Sequence, residues 1–269
     1  MTESSSRVSR AQLRVLADGL SARDWRILRF VAAHRFATTR NIREAFFADH
    51  ASPLAAARAC IRVLDRHLRD RLLGRLDRRV GGVKHGSSSF IWHLDVIGAR
   101  LATTEQGRRR LTIPSADFLD HTLAVVGTHV ALLTLARTGV VTAERIDIET
   151  AAWRPFTTAH GTASVLKPDL YVHLSTPEYD DHWYVEVDRG TEHLPVLLAK
   201  CRAYTAYRAT GRAQAEHGVF PRVLWLLPTQ RRVAALRAAL QDDPRLDARL
   251  FVVITADALG DTVADPLDQ

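Results

Sequence analysis

Lys167-Pro168-Asp169-Leu170-Tyr171-Val172, then Tyr184-Val185-Glu186-Val187-Asp188-Arg189-Gly190-Thr191-Glu192, then Lys200 and Tyr204, form the stretch that decides how this chain reads. Polar and apolar residues alternate in both segments, which predicts strands from Asp169 to Leu174 and from Trp183 to Asp188. Alternation puts Asp169, Tyr171 and His173 on one face of the first strand. Tyr184, Glu186 and Asp188 share one face of the second. Paired as a hairpin, the strands bring Asp169 near Glu186 and Asp188. Three carboxylates that close repel one another until a cation neutralises them or a proton is taken up. Mg²⁺ or Mn²⁺ suits such a site, because a hard cation takes oxygen ligands and keeps several waters. It can activate water and stabilise charge growing on a scissile phosphate. Asp169, Glu186 and Asp188 are therefore the expected metal ligands. Lys200, on a helix predicted from Leu194 to Tyr207, is a compact point charge able to orient water or phosphate.

Outward from this stretch, the second half alternates helix and strand. The pattern predicts a long helix from Phe118 to Arg137 and a strand from Glu144 to Thr150. A strand from Val223 to Leu227, a helix from Gln230 to Leu240 and a strand from Phe251 to Thr255 follow the central hairpin and its helix. The order αβββαβαβ implies a mixed sheet flanked by helices. Asp188 with Arg189 also reads as a local ion pair, and Tyr204 and Tyr207 as amphipathic surface fillers.

The first half reads differently. Ser21 caps a helix running to His34, with Asp24 at the fourth position. Thr38 or Thr39 caps a short helix through Ile42, Ala45 and Phe46. Ser52-Pro53 opens a third helix with apolar residues Leu54, Ala57, Ile61, Leu64 and Leu68. Arg58, Arg62 and Arg66 stand on its exposed side at four-residue intervals. After Leu73-Gly74 the period changes to strands, Arg75 to Val80 and Phe90 to Leu94, around the tip Gly81-Gly82-Val83-Lys84-His85-Gly86. Asp95 caps a closing helix. Three helices followed by a glycine-rich hairpin resemble a winged helix-turn-helix domain, in which the third helix enters the major groove. Arg40, Arg58, Arg62 and Arg66, with Arg78, Arg79 and Lys84 on the wing, are the expected contacts to double-stranded DNA. A solvated helix face and a protein-docking winged helix are the competing readings.

Bulk composition agrees with an acidic partner. The 269 residues carry a formal charge of +7 with a pI near 10.0, and 46% are hydrophobic. The excess is one-sided: residues 1–120 sum to +10 and residues 121–269 to −3. Only three cations are lysines, Lys84, Lys167 and Lys200, and two of them flank the carboxylates. Cys60 and Cys201 lie far apart in helical segments and imply no disulfide framework or metal spacing. The start lacks a signal-peptide core. The most apolar run, Thr122 to Val141, is interrupted by His129 and Arg137 and reads as a buried helix rather than a membrane span. The expected location is the cytoplasm, with no membrane partner.

Pro168-Asp169 and Glu186-Val187-Asp188 resemble the PD-(D/E)xK nuclease superfamily, in which an Asp after Pro and an acidic-x-Lys strand build the site. Asp188 stands where that pattern has lysine. Some members move the lysine to the neighbouring helix, which makes Lys200 the candidate, with Lys167 a second. The winged-helix front, Pro-Asp, Glu-Val-Asp-Arg-Gly-Thr-Glu, Lys200 and Tyr204 together resemble the replication-relaxation family over roughly residues 20–230. That family is encoded on actinobacterial plasmids, phages and integrative elements. The resemblance implies an α+β chain: a loosely ordered start at 1–20, a winged helix at 21–106, a linker at 107–117, a restriction-endonuclease-like domain at 118–260 and a tail. It implies DNA handling in replication or mobilisation, alongside other proteins of those processes. Two functions stay open, a metal-dependent endonuclease or nickase and a non-catalytic DNA-binding accessory.

Overall fold

The computed structural model describes residues 9–80, 89–102 and 114–264, without the side chains of residues 77–80 and 89. The chain is α+β and divides into two compact units, residues 1–126 and 127–269. The division falls inside a helix. Most of the expected linker and the glycine-rich tip with Lys84 lie outside the described residues.

In the first unit, α1 (Arg10–Asp18) is a helix where a loosely ordered start is expected. Ser9 and Gln12 explain it, because they form a reciprocal capping box that satisfies first-turn N–H groups. α2 (Ala22–His34) opens on the Ser21–Asp24 capping box. β1 (Ala37–Thr38) leads into α3 (Thr39–Phe46), capped by Thr38. α4 (Pro53–Arg69) is capped by Ser52 with proline in its first turn. β2 (Leu73–Val80) and β3 (Ser89–Leu94) pair antiparallel, and β1 adds to β3 with Ala37 opposite Trp92. The Trp92 indole N–H donates to the Thr39 hydroxyl at 2.9 Å, tying this sheet to the start of α3. Ile27, Leu28, Ile42, Leu64, Leu72 and Ile91 are fully buried between helices and sheet. α5 (Val96–Ala102) closes the unit. Gly98 is required there, since a Cβ would lie 1.9 Å from the Leu72 carbonyl oxygen.

α6 (Ala116–Arg137) has the length and apolar content a membrane span would need. Leu119, Val125, Val126, Val130 and Leu132 on it are nonetheless buried within the protein.

The second unit is built on a mixed five-stranded sheet, β4 (Thr142–Ile148), β7 (Leu170–Ser175), β8 (Asp180–Val187), β9 (Arg222–Leu227) and β10 (Phe251–Thr255). Its order is β10-β9-β8-β7-β4; β8, β9 and β10 run parallel, while β7 is antiparallel to both neighbours. A separate hairpin, β5 (Arg154–Thr157) and β6 (Ala163–Leu166), interrupts the expected strand order. α7 (Leu194–Arg208) is followed by the short α8 (Arg212–His217), and α9 (Gln230–Asp242) lies between β9 and β10. α10 (Leu259–Ala264) ends the described chain. Tyr171 and Tyr184 from the sheet, Leu197, Tyr204 and Tyr207 from α7, and Leu236 from α9 share one core. An aromatic side chain buries about 150–250 Å², so the buried tyrosines fix how α7 lies on the sheet.

Candidate functional site

The carboxylate pair forms where β7 begins and β8 ends. Leu170 pairs with Val185, and the ladder continues one residue back, where the Asp169 N–H donates to the Val185 carbonyl at 3.1 Å. Register therefore brings Asp169 beside Glu186 on the side covered by α7. Asp169 Oδ2 accepts from the Val187 N–H at 2.8 Å, which fixes its orientation. Glu186 is 2% exposed. Its Oε1 accepts from the Tyr204 hydroxyl at 2.6 Å, and its Oε2 lies 3.4 Å from Lys200 Nζ. Lys200 is shared with Glu192 at 3.3 Å. Lys200 and Tyr204 are four residues apart, on one face of α7.

The electrostatics follow from burial. Burial, then the neighbouring Asp169 charge, push Glu186 up to about 8, and Lys200 and Tyr204 offset only part of this. Burial and Asp169 thus disfavour the Glu186 carboxylate despite its ion-pair distance to Lys200. Lys200 loses some basicity to burial but gains more from Glu186, Glu192 and Asp169, so its pKa is raised and it stays charged. Burial and the Glu186 charge likewise raise Tyr204 well above the ordinary phenol, so it acts as a donor.

Asp188 is closed off from this pair. Its Oδ1 accepts from the Gly190 N–H at 3.0 Å, and its Oδ2 is held by Arg232 of α9. Gly190 has φ +84, a backbone conformation that only glycine adopts readily. The Arg232 guanidinium also donates to the Glu192 carbonyl oxygen, locking the turn between β8 and α7. Asp188 therefore serves the turn, where strand alternation alone would place it with the acids. Among the described residues no group of three or more His, Cys, Asp or Glu converges for a metal ion. Asp169 and Glu186 are what remains for a cation. Lys167, the second lysine candidate, packs over the Trp153 ring at 4.5 Å.

Sequence reasoning undervalued Tyr204, Glu192 and Arg232. Tyr204 is fully buried and bonded to Glu186 rather than a surface filler. Its four-residue spacing from Lys200 carried that signal. Arg232, 44 residues from Asp188, carried none.

In the first unit, Arg58 and Arg62 stand exposed on α4, with Ile61 between them 51% exposed. Arg40 is exposed and paired with Glu44 at 2.7 Å. Arg66 departs from the expected ridge, because its guanidinium is engaged by Asp24, itself 1% exposed. Burial acts to raise the Asp24 pKa, but hydrogen bonds from Ser21 and His67 outweigh it, and the carboxyl sits below its ordinary value. Burial keeps His67 below its ordinary pKa in spite of Asp24, so the 2.8 Å contact from His67 Nε2 to Asp24 is a hydrogen bond from a neutral ring. The side chains of Arg78 and Arg79, like Lys84, lie outside the described residues.

No curated protein and no solved structure matches the chain. The family model described as replication-relaxation matches residues 28–223, from within α2 to the second residue of β9. The chain belongs to the replication-relaxation family.

Proposed function

We propose that this chain is a DNA-processing protein of replication or mobilisation, with a winged helix-turn-helix front and a PD-(D/E)xK-like core. Family membership supports the process. The observation that carries the chemistry is the buried Glu186, raised to about 8 by burial and Asp169, with Lys200 at 3.4 Å. A carboxylate pair under that strain favours Mg²⁺ or Mn²⁺ over a bare site. When bound, such an ion would neutralise phosphate charge and lower the pKa of its water. Asp169 and Glu186 would hold it. Tyr204 keeps Glu186 in place by its hydroxyl. Lys200 carries its charge toward the acids and is positioned to orient a phosphate or a water. Arg40, Arg58 and Arg62 would meet double-stranded DNA, and the order of helices and hairpin in the first unit supports that front.

A second reading is favoured by Asp188, which stands in the lysine position of the nuclease pattern and is tied to Arg232. Here the same fold is a non-catalytic DNA-binding accessory. Supercoiled plasmid incubated with the protein and Mg²⁺ or Mn²⁺ separates them. The nuclease reading expects relaxed or linear product that Asp169→Ala abolishes. DNA binding that survives this substitution, with no cleavage by the unsubstituted protein, removes it and leaves the accessory.

A further inference from the structure

A second polar site lies away from the Asp169–Glu186 pair. β4, β5, α7 and α8 line an open groove of about 570 Å³, with Arg145, Arg154, Arg212, Tyr207 and Glu216 along it. Its charges are incompletely matched. Arg145 holds Asp147 through two N–H groups, at 2.9 Å and 2.7 Å, while Arg154 lies 3.7 Å from the same carboxylate and donates to the Ala151 and Trp153 carbonyls at 2.8 Å and 3.2 Å. Arg212 donates to a backbone oxygen, that of Pro155, at 3.1 Å. Three guanidiniums thus face two carboxylates, Asp147 and Glu216.

One buried donor beside the groove is also left over. The Arg154 side chain is 11% exposed, and its Nε–H is buried with no hydrogen-bond acceptor among the described residues. The Tyr184 hydroxyl is fully buried beneath the groove, beside Tyr207 and Arg154. A buried donor without a partner costs stability, and a bound ion is one of the things that can satisfy it. Around it, Tyr171 lies under both Arg145 and Arg154 and against the His217 ring. The region offers guanidinium N–H groups over an aromatic floor.

We propose that this groove binds a phosphate group, held by the guanidiniums of Arg145, Arg154 and Arg212 that line it. Guanidinium forks match the oxygens of phosphate in pairs. The volume leaves room for more than the bare ion, so inorganic phosphate and the phosphoryl group of a nucleotide share the chemistry. The inference stands apart from the nuclease reading, because a phosphate can occupy the groove whether or not the acidic pair supports cleavage.

The test is calorimetric titration of the full-length chain with inorganic phosphate and, separately, with a mononucleoside 5′-monophosphate. Chloride at matched ionic strength is the control. Expected is saturable binding at one site, weakened about tenfold or more by Arg212→Ala. The melting temperature of that variant without phosphate should be unchanged, since Arg212 is exposed. Arg145→Ala should act in the same direction and decides the matter if Arg212→Ala disturbs the fold. Tighter binding of the nucleotide assigns the site to a nucleotide phosphoryl group, and equal binding assigns it to free phosphate. Heats that chloride reproduces, or binding indifferent to both substitutions, would overturn the proposal.

Discussion

Glu186 is where burial and neighbouring charge contend most sharply. Its carboxyl is raised to about 8 by burial and Asp169, so at pH 7 it should hold a proton. Infrared difference spectra across pH 6–10, taken without divalent ions, should show a protonated-carboxyl band disappearing near pH 8. Glu186→Gln should remove that band; its persistence would assign the proton elsewhere. Asp188, 7% exposed, is instead paired with Arg232. Arg232→Ala leaves that carboxylate without its cation and should destabilise the protein by about 3 kcal/mol. Lys167→Ala, at an exposed residue over Trp153, should change stability by less than about 1 kcal/mol. Chemical denaturation of the two variants side by side checks the contrast. Equal effects would mean that the Asp188–Arg232 pair does not hold the turn.

At the scale of elements, α4 carries the testable surface. Arg58 and Arg62 are exposed on it, whereas Arg66 is spent on Asp24. If α4 meets DNA, Arg58→Ala and Arg62→Ala should each lower the slope of log K against log salt by about 1, without loss of stability. Arg66→Ala should instead destabilise the first unit, because it removes a partner of a buried carboxylate. Unchanged salt slopes for both exposed variants would argue for a protein-docking face. Much at this scale was legible in the sequence. Ser21, Thr38 and Ser52 announce their helices through local hydrogen bonds, and alternation reveals β7 and β8. The β5–β6 hairpin was not legible, because Pro155 and a run of polar residues mask four-residue strands. The acidic site divides in the same way. Asp169, Glu186 and Lys200 follow from period and spacing, while the Asp188–Arg232 pair depends on a helix remote in sequence.

Across the whole molecule, buried and half-buried ionisable groups of the second unit bound its stability from both sides of neutrality. Burial lowers His129 to about 4, and burial with the neighbouring His173 and His217 charges lowers His182 to about 4. Each of these rings binds fewer protons folded than unfolded, so stability is lost as pH falls below the ordinary histidine value of 6.5. Glu186 works the other way. With its folded pKa raised to about 8 from 4.5, the folded state binds more protons, and stability falls as pH rises through that window. Between pH 4.5 and 6.5 two histidines oppose one glutamic acid, and the net slope is upward. Between pH 6.5 and 8 only Glu186 titrates among these three, and the slope turns downward by on the order of 2 kcal/mol in total. Cys60 and Cys201, raised to about 12, and Tyr171, also raised to about 12, begin to cost stability only at higher pH. The second unit should therefore melt highest near pH 6.5 in divalent-free buffer, with Glu186→Gln flattening the alkaline limb and leaving the acid limb intact. Thermal melts of both proteins across pH 5–9 check this. A decline above pH 7 that Glu186→Gln leaves unaltered would mean that Glu186 already ionises at neutral pH, and that the cost of its burial lies elsewhere.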